Sequence, residues 1–292
     1  MVIEAPGHIG ARGARDSLDD SSSAPPAADT RRSSRYFRQR VWLTWAILVA
    51  LLAGASYSLH LDYGYVAQKL PFLLGLRLSP DGFIQGAVLT LFVTAVSMVC
   101  ALLVALVTAF GRLSGNPVVF AVATFYASLF RGTPLMVQVL IIYLALPQIG
   151  IVLGALSSGL IALSLNYGAY LAETIRSGMM AVPAGQREAA MALGLPRWVI
   201  AWKVTGPQAL RLIIPPAGAL FVSMLKDSSL VSLMGLWELN FLAQSYARAT
   251  YRYMEMLIAA ALIYWGLSIV FELVQYRLER RCGRGVATLG RP

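Results

Sequence analysis

A run of four polar residues interrupts a long apolar stretch in the last third of this 292-residue chain: Lys226, Asp227, Ser228 and Ser229. Burying a charge among apolar groups is costly, so an ionisable residue in such a stretch is a candidate for function. One cation, one anion and two hydroxyls suit contact with a polar substrate or a role in a gate. The alternative, which stays open here, is that Lys226 and Asp227 pair with other helices or cap a broken helix.

A second candidate is the helix break predicted at Arg131-Gly132-Thr133-Pro134. Pro134 lacks a backbone donor, and Gly132 permits unusual dihedral angles. Inside an apolar segment, such a break persists only where protein or water satisfies the freed backbone groups. We favour a structural kink here, with Arg131 and Thr133 as further candidates for lining a substrate path.

Two other acidic residues of the apolar segments are expected to have structural roles. Glu173 and Arg176 stand three residues apart, on one face of a helix, which predicts an ion pair at the helix end. Glu272 lies near the end of the last apolar stretch, where it is expected to pair or to extend toward water.

The residues for several common chemistries are missing from the sequence. A Walker A loop, which binds nucleotide phosphates, needs a glycine directly before its lysine. None of the three lysines, Lys69, Lys203 and Lys226, follows a glycine. With only two histidines, far apart, and no Gly-x-Ser-x-Gly motif, neither a metal site nor a catalytic site is predicted.

The composition indicates an integral membrane protein. Hydrophobic residues make up 58% of the chain, charged residues only 13%, and the mean hydropathy is +0.65. Soluble domains are about 45–50% apolar and about 25% charged. The same numbers exclude disordered and collagen-like chains, and two widely spaced cysteines exclude a disulfide scaffold.

Charge and hydropathy together predict the topology. The net charge is +10, and basic residues cluster directly before the first apolar stretch and at the C-terminal end. Lys and Arg gather on the cytoplasmic side of membranes, so both termini are expected there. Six stretches approach or exceed the roughly 20 residues that a helical span needs: 41–61, 83–110, 117–146, 151–175, 208–233 and 254–276. A nucleic-acid partner is not expected, because the basic runs adjoin spans and lack interleaved aromatic residues.

The predicted organisation has four parts. Residues 1–40 form a disordered, basic cytoplasmic leader, and residues 41–61 form an additional N-terminal transmembrane helix. Residues 83–276 form the main transmembrane domain, with a cytoplasmic loop at 177–206. Residues 277–292 form a basic cytoplasmic tail.

The cytoplasmic loop is the most informative stretch. Pro183 and Gly185 precede a short run of strong helix formers, Gly194 stops that helix, and a second short helix is predicted over 197–204. Such a hairpin, with apolar residues outside the membrane, suits docking onto another protein. From the residues alone, a helix resting on the lipid surface is an equal alternative.

A resemblance to a known family favours docking onto another protein over a position on the lipid surface. Glu188-Ala189-Ala190, Gly194 and the later Pro207 resemble the EAA loop of ABC-importer permeases, although Gly206 stands where leucine is usual. Three further segments, 130–138, 168–173 and 225–230, resemble permeases for polar amino acids of the histidine/glutamine/arginine-type branch. The resemblance extends over about residues 83–281.

The resemblance implies an all-α integral membrane protein with the type I ABC-importer permease fold. That family typically has five spans beginning outside, so the span at 41–61 is an addition that brings the number to about six transmembrane helices and moves the N-terminus to the cytoplasm. It implies a bacterial cytoplasmic (inner) membrane location, two partner ATPase subunits, a second permease chain of the same or a different kind, and an external amino-acid-binding protein. This chain would then be no enzyme and would bind no cofactor, and the partner ATPase would use ATP and Mg. Membrane lipid would surround the spans.

The resemblance also implies roles for single residues. Those expected to couple to the ATPase are Glu188, Ala189, Ala190, Gly194 and Pro207. An amino acid's carboxylate needs a donor and its ammonium an acceptor. The candidates for the substrate path or gate are Lys226, Asp227, Ser228, Ser229, Arg131 and Thr133.

Three alternatives belong to other classes. An ABC-importer permease of another branch, for example one for osmolytes, would share the docking loop. An ion-coupled secondary carrier would work without an ATPase. An intramembrane hydrolase would need a nucleophile and a base that the sequence does not provide.

Overall fold

The chain divides into two units, Met1–Leu61 and Asp62–Pro292. The computed structural model describes residues 28–58, 61–78 and 82–282. In the first unit, helix α1 runs from Ala28 to Ser58. It therefore begins within the predicted leader, because arginine is a good helix former and an existing helix extends readily. The prediction for residues 1–27 lies outside the described residues.

The second unit holds the other helices. In chain order they are α2 (Tyr63–Leu73), α3 (Gly86–Arg112), α4 (Pro117–Gly132), α5 (Leu135–Leu140), α6 (Ala155–Met180), α7 (Ala184–Ala192), α8 (Arg197–Val199), α9 (Gly206–Asp227), α10 (Leu239–Thr250) and α11 (Tyr253–Cys282). Helical turns of other kinds extend three of them. After α5 come a π-helical segment, Ile141–Ala145, and a 3-10 turn, Leu146–Ile149. A second π-helical segment, Ile200–Thr205, joins α8 to α9. A second 3-10 turn, Ser228–Met234, follows α9.

The main core lies between α3 and α6, with α9 against them. Ala101, Ala105 and Ala109 recur every four residues on α3 and are fully buried. Small side chains at this spacing let two helix backbones approach closely, as is usual between membrane helices. On α6, a Cβ atom at Gly168 would lie 2.9 Å from the Tyr126 hydroxyl of α4, so this helix crossing requires glycine.

A second core joins α2, α10 and α11. Helices α2 and α10 lie between the predicted spans, in stretches for which no helix was predicted. The side chain of Asp62 caps α2 by accepting from the Tyr65 backbone N–H at 2.9 Å. Both helices are short, and their stability comes from packing against α11.

The predicted helix break is confirmed. Helix α4 ends at Gly132, Thr133 is extended with φ −114° and ψ 144°, and the chain resumes as α5. The two helical parts are bent by 103°.

The helix predicted over 197–204 continues into α9 and does not end at Val204, so the prediction of a separate second short helix is wrong. By length and composition, three helical runs of the described residues can cross a membrane: Gly86–Arg112, Arg197–Met234 and Tyr253–Arg280. The bent pair around residue 133 makes a fourth if it is one span. The number of six stays a prediction.

Candidate functional site: a polar cavity and a docking hairpin

The hairpin formed by α7 and the following helical segment, residues 184–205, is closed by a glycine turn. Gly194 has φ +73°, a left-handed conformation that glycine adopts without strain. The Gly194 N–H donates to Met191 O at 2.9 Å, and the Leu195 N–H donates to Ala190 O at 3.2 Å. These two bonds are a Schellman motif, which satisfies the last carbonyls of α7. The predicted helix stop at Gly194 is confirmed.

The hairpin presents an apolar surface. Glu188 and Ala189 are exposed, whereas Ala190 is buried together with Ile200 of the second segment. Five large apolar side chains are exposed nearby: Met191, Leu193, Leu195, Trp198 and Trp202. An exposed apolar patch of this kind marks a surface that another molecule covers.

The π-helical segment explains why Gly206 replaces the usual leucine. Its wider turn brings Ala201 O to 2.6 Å from the place where a Cβ of residue 206 would lie, closer than Cβ atoms approach carbonyls. Pro207 follows one residue after this segment, and because it has no backbone N–H it cannot continue the run of backbone hydrogen bonds there. Residue 206 therefore departs from the EAA pattern because the backbone at the base of the hairpin leaves no space for a side chain there.

A cavity of about 470 Å³ lies between the α4–α5 break, α6 and the end of α9. It brings together residues that stand far apart in the sequence: Arg131 and Thr133 at the break, and Asp227 at the end of α9. Asn166, Tyr167, Tyr170 and Ser223 contribute further polar groups to its wall. A cavity with a cation on one side and a carboxylate on another can hold a ligand that carries both charges.

The four predicted residues at the end of α9 have different positions. Asp227 lines the cavity, and its Oδ2 accepts from the Tyr167 hydroxyl at 2.6 Å. Lys226 is exposed and does not line this cavity. Ser228 is fully buried and donates to Leu225 O at 2.7 Å, and the Ser229 carbonyl accepts from the Ser232 hydroxyl at 2.6 Å. Ser228 and Ser229 therefore form the turn beyond α9, and of the four only Asp227 lines this cavity.

Two buried amides hold the α4–α5 break open. Pro134 has no N–H to offer the carbonyl of Phe130, and side chains replace it. Gln138 Nε2 donates to Phe130 O at 2.9 Å, and Asn166 Nδ2 donates to the same oxygen at 3.1 Å. Asn166 Nδ2 also donates to Gln138 Oε1 at 3.1 Å. Both amides are more than nine-tenths buried, so the freed carbonyl is satisfied without water.

A cluster of four charged residues lies beside the cavity. The predicted pair of Glu173 with Arg176 is confirmed, and Glu173 binds two further arginines, Arg112 of α3 and Arg131 of α4. Arg131 Nη1 lies 3.2 Å from Glu173 Oε2, and the Arg131 guanidinium lies 5.6 Å from the centre of the Tyr170 ring. Arg131 thus connects the charged cluster with the cavity wall.

Sequence reasoning missed Gln138, Asn166 and Tyr167. The amides were detectable as polar residues inside apolar stretches, but their partners are up to 36 residues away in the chain. Tyr167 gave no signal, because a tyrosine in a membrane helix is usually an interfacial anchor or a packing residue.

A buried carboxylate, Glu238, was also missed. It is fully buried between the segment after α9 and helices α3 and α11. Its oxygens accept from the Asn240 and Phe241 backbone N–H groups, at 2.9 and 2.8 Å, and from the Tyr264 hydroxyl at 2.7 Å. Burial raises the pKa of Glu238 to about 7, and these hydrogen bonds limit the rise.

A family model described as "Binding-protein-dependent transport system inner membrane component" matches residues 98–284. Arginine transport system permease protein ArtQ of Bacillus subtilis (strain 168) is 34% identical over 224 residues, which are 76% of this chain and 98% of ArtQ. L-cystine transport system permease protein TcyB of the same organism is 39% identical over 203 residues, covering 69% of this chain and 87% of TcyB. Glutamine transport system permease protein GlnP of Escherichia coli (strain K12) is 34% identical over 200 residues, covering 68% and 91%.

Solved structures of ABC transporters are also similar to this chain. The crystal structure of an amino acid ABC transporter with histidines is similar at 35% identity and a TM-score of 0.69, over 76% of this chain and 99% of the other. An inward-facing MetNI methionine ABC transporter is similar at 20% identity and a TM-score of 0.56, over 66% and 92%. The second likeness, at this low identity, concerns the fold alone.

Proposed function

Since this chain belongs to the family of binding-protein-dependent transport system inner membrane components, we propose that it is the permease subunit of an ABC importer that moves polar amino acids into the cytoplasm. Over the described residues its fold is helical and is that of the type I importer permeases. Similarity to permeases for arginine, cystine and glutamine supports amino acids as the substrate class.

The observation that carries the proposal is that Arg131 and Asp227, a cation and an anion, both line one cavity. A free amino acid has a carboxylate that needs a donor and an ammonium that needs an acceptor. Arg131 and the Thr133 hydroxyl offer donors at one side, and Asp227 offers an acceptor at the other. Lys226, exposed beside Asp227, belongs to the gate, and Ser228 and Ser229 shape the helix end that carries both.

The energy comes from a partner. The hairpin 184–205 docks onto a cytoplasmic ATPase, with Glu188, Ala189 and Ala190 in the docking helix and Gly194 and Pro207 fixing its geometry. ATP and Mg bind to that partner, because this chain has no lysine in a phosphate-binding loop. Two ATPase subunits, a second permease chain and an external binding protein complete the importer in the cytoplasmic membrane.

Reconstitution tests the proposal. The full chain, assembled with its ATPase and binding protein in proteoliposomes, is expected to take up radiolabelled polar amino acids only when ATP is supplied. Asp227→Asn removes the negative charge from the cavity and should reduce uptake about tenfold, the equivalent of one charged hydrogen bond.

Glu272→Gln is the matched control, because it removes an exposed carboxylate of α11 that does not line the cavity. Uptake driven by an ion gradient without ATP would contradict the importer. ATP-driven uptake of a quaternary ammonium osmolyte in place of amino acids would contradict the substrate class.

A further inference from the structure

Besides α9, which follows the hairpin and ends at Asp227, helix α6 connects the hairpin with the cavity. It ends at Met180, and only three residues, 181–183, separate it from α7. The middle residue of this connection, Val182, is buried. A connection this short cannot absorb a displacement of α7, so a movement of the hairpin must displace the end of α6.

Between its middle and the end that leads to the hairpin, α6 holds the broken end of α4 at two places. Asn166 donates to Phe130 O and to Gln138 Oε1, and Glu173 accepts from the guanidinium of Arg131. Phe130 and Arg131 are consecutive residues at the end of α4. Asn166 and Glu173 stand seven residues apart, which places them on one face of α6, about 10 Å apart along its axis.

One contact is buried, and the other is made by a carboxylate that two further arginines hold in place. Asn166 and Gln138 are more than nine-tenths buried, and releasing either would leave a polar group unsatisfied in an apolar interior. Glu173 keeps its place because Arg112 of α3 and Arg176 of α6 also bind it. Arg131 is the most exposed of the three arginines, with 40% of its side chain accessible, and its contact with Glu173 is the one that reaches the cavity.

The geometry points to Gln138, Asn166 and Glu173 as positioning residues, through which α6 transmits movement of the docking hairpin to the rim of the cavity. The inference rests on the proposed function and states which residues would carry movement of the hairpin to the cavity. When the hairpin moves, α6 draws the end of α4 with it, and Arg131 and Thr133 change position at the rim of the cavity. The access to the cavity and the positions of the hydrogen-bond donors that would bind the ligand then change together.

The test measures coupling, the number of amino acid molecules imported per ATP hydrolysed, in the reconstituted importer. Glu173→Gln weakens the ionic contact, and Gln138→Met removes one partner of Asn166 and one donor to Phe130. Each variant is expected to lower the ratio about tenfold, within the usual range for coupling between sites, while ATP hydrolysis stays within about twofold of wild type. The double variant should be little worse than the poorer single one, since both act on the same element.

Ser177→Ala is the control, because it removes only a hydrogen bond within α6, from the Ser177 hydroxyl to Thr174 O. An unchanged ratio in both single variants would overturn the inference. A parallel loss of uptake and ATP hydrolysis would also overturn it, since it indicates a structural role only. Failure of the proposed function is a different outcome: the wild-type importer itself would then not move amino acids with ATP.

Discussion

At the scale of single residues, the left-handed backbone conformation of Gly194 restricts its replacement. A Cβ atom there would meet nothing within 4 Å, so a larger side chain has space but would have to adopt φ +73°. The left-handed conformation costs other residues about 1–2 kcal/mol. Gly194→Leu is therefore expected to distort the Schellman turn and to lower ATP-driven uptake severalfold, while the amount of protein inserted in the membrane stays the same.

Gly185→Leu provides the comparison for this variant. Gly185 lies in α7, also has open space around it, and has no positive φ. Normal uptake by the Gly194 variant, or equal loss in both variants, would count against the turn as the feature that docking requires.

Glu238 leads to a prediction about pH. Its pKa is about 7 when buried, against an ordinary value of 4.5, so the folded protein binds the proton more tightly than the unfolded chain. The free energy of unfolding should therefore be highest below about pH 4.5 and fall as the pH rises to 7, by on the order of 3 kcal/mol. The thermal midpoint of the purified chain in detergent, measured from pH 5 to 8, should show this decline.

Glu238→Gln should flatten that decline, because an amide does not titrate. Glu272→Gln, which removes an exposed carboxylate, should leave it in place. The described groups that bond to Glu238 are neutral, Thr90 of α3 and Tyr264 of α11 among them, and burial is the largest cause of its raised pKa. Parallel profiles for wild type and Glu238→Gln would show that another group is responsible.

At the scale of elements, the π-helical segment Ile200–Thr205 determines how the chain passes from the hairpin into α9. Gly206→Leu restores the residue usual in EAA loops but places a Cβ 2.6 Å from Ala201 O. We expect it to destabilise this chain by about 1–3 kcal/mol, as overpacking generally does. The thermal midpoint measures the effect, with Gly266→Leu of α11, where a Cβ meets nothing within 4 Å, as the control. A midpoint equal to that of the control would mean that the segment relaxes to a regular α-helix.

The sequence predicted the elements whose signals are local. Apolar length located α3, α9 and α11, proline and glycine located the break after Gly132, and the Gly194 stop was recognised from its position after α7. Helices α2 and α10 were missed because they are short and depend on packing against distant residues. The same reason applies to the cavity: Arg131, Tyr167 and Asp227 meet only after the helices have packed.

At the scale of the whole molecule, α6 and α9 join the polar cavity to the hairpin 184–205. Exposed apolar side chains cover much of α3, α4 and α11, as expected for helices that face lipid or a second permease chain. The hairpin surface differs from these, because it lies beyond the ends of the apolar helices. Its exposed tryptophans, Trp198 and Trp202, are large contact residues of the kind that dominate protein interfaces.

Crosslinking from this surface tests the central claim most directly. A photo-activated crosslinker at Leu193, 79% exposed at the tip of the hairpin, should form an adduct with an ATP-hydrolysing subunit in native membranes. The same group at Tyr251, 88% exposed between α10 and α11, should not. An adduct with the ATPase from Leu193 alone is the predicted result; adducts with lipid only, or with the ATPase from Tyr251, would contradict the account.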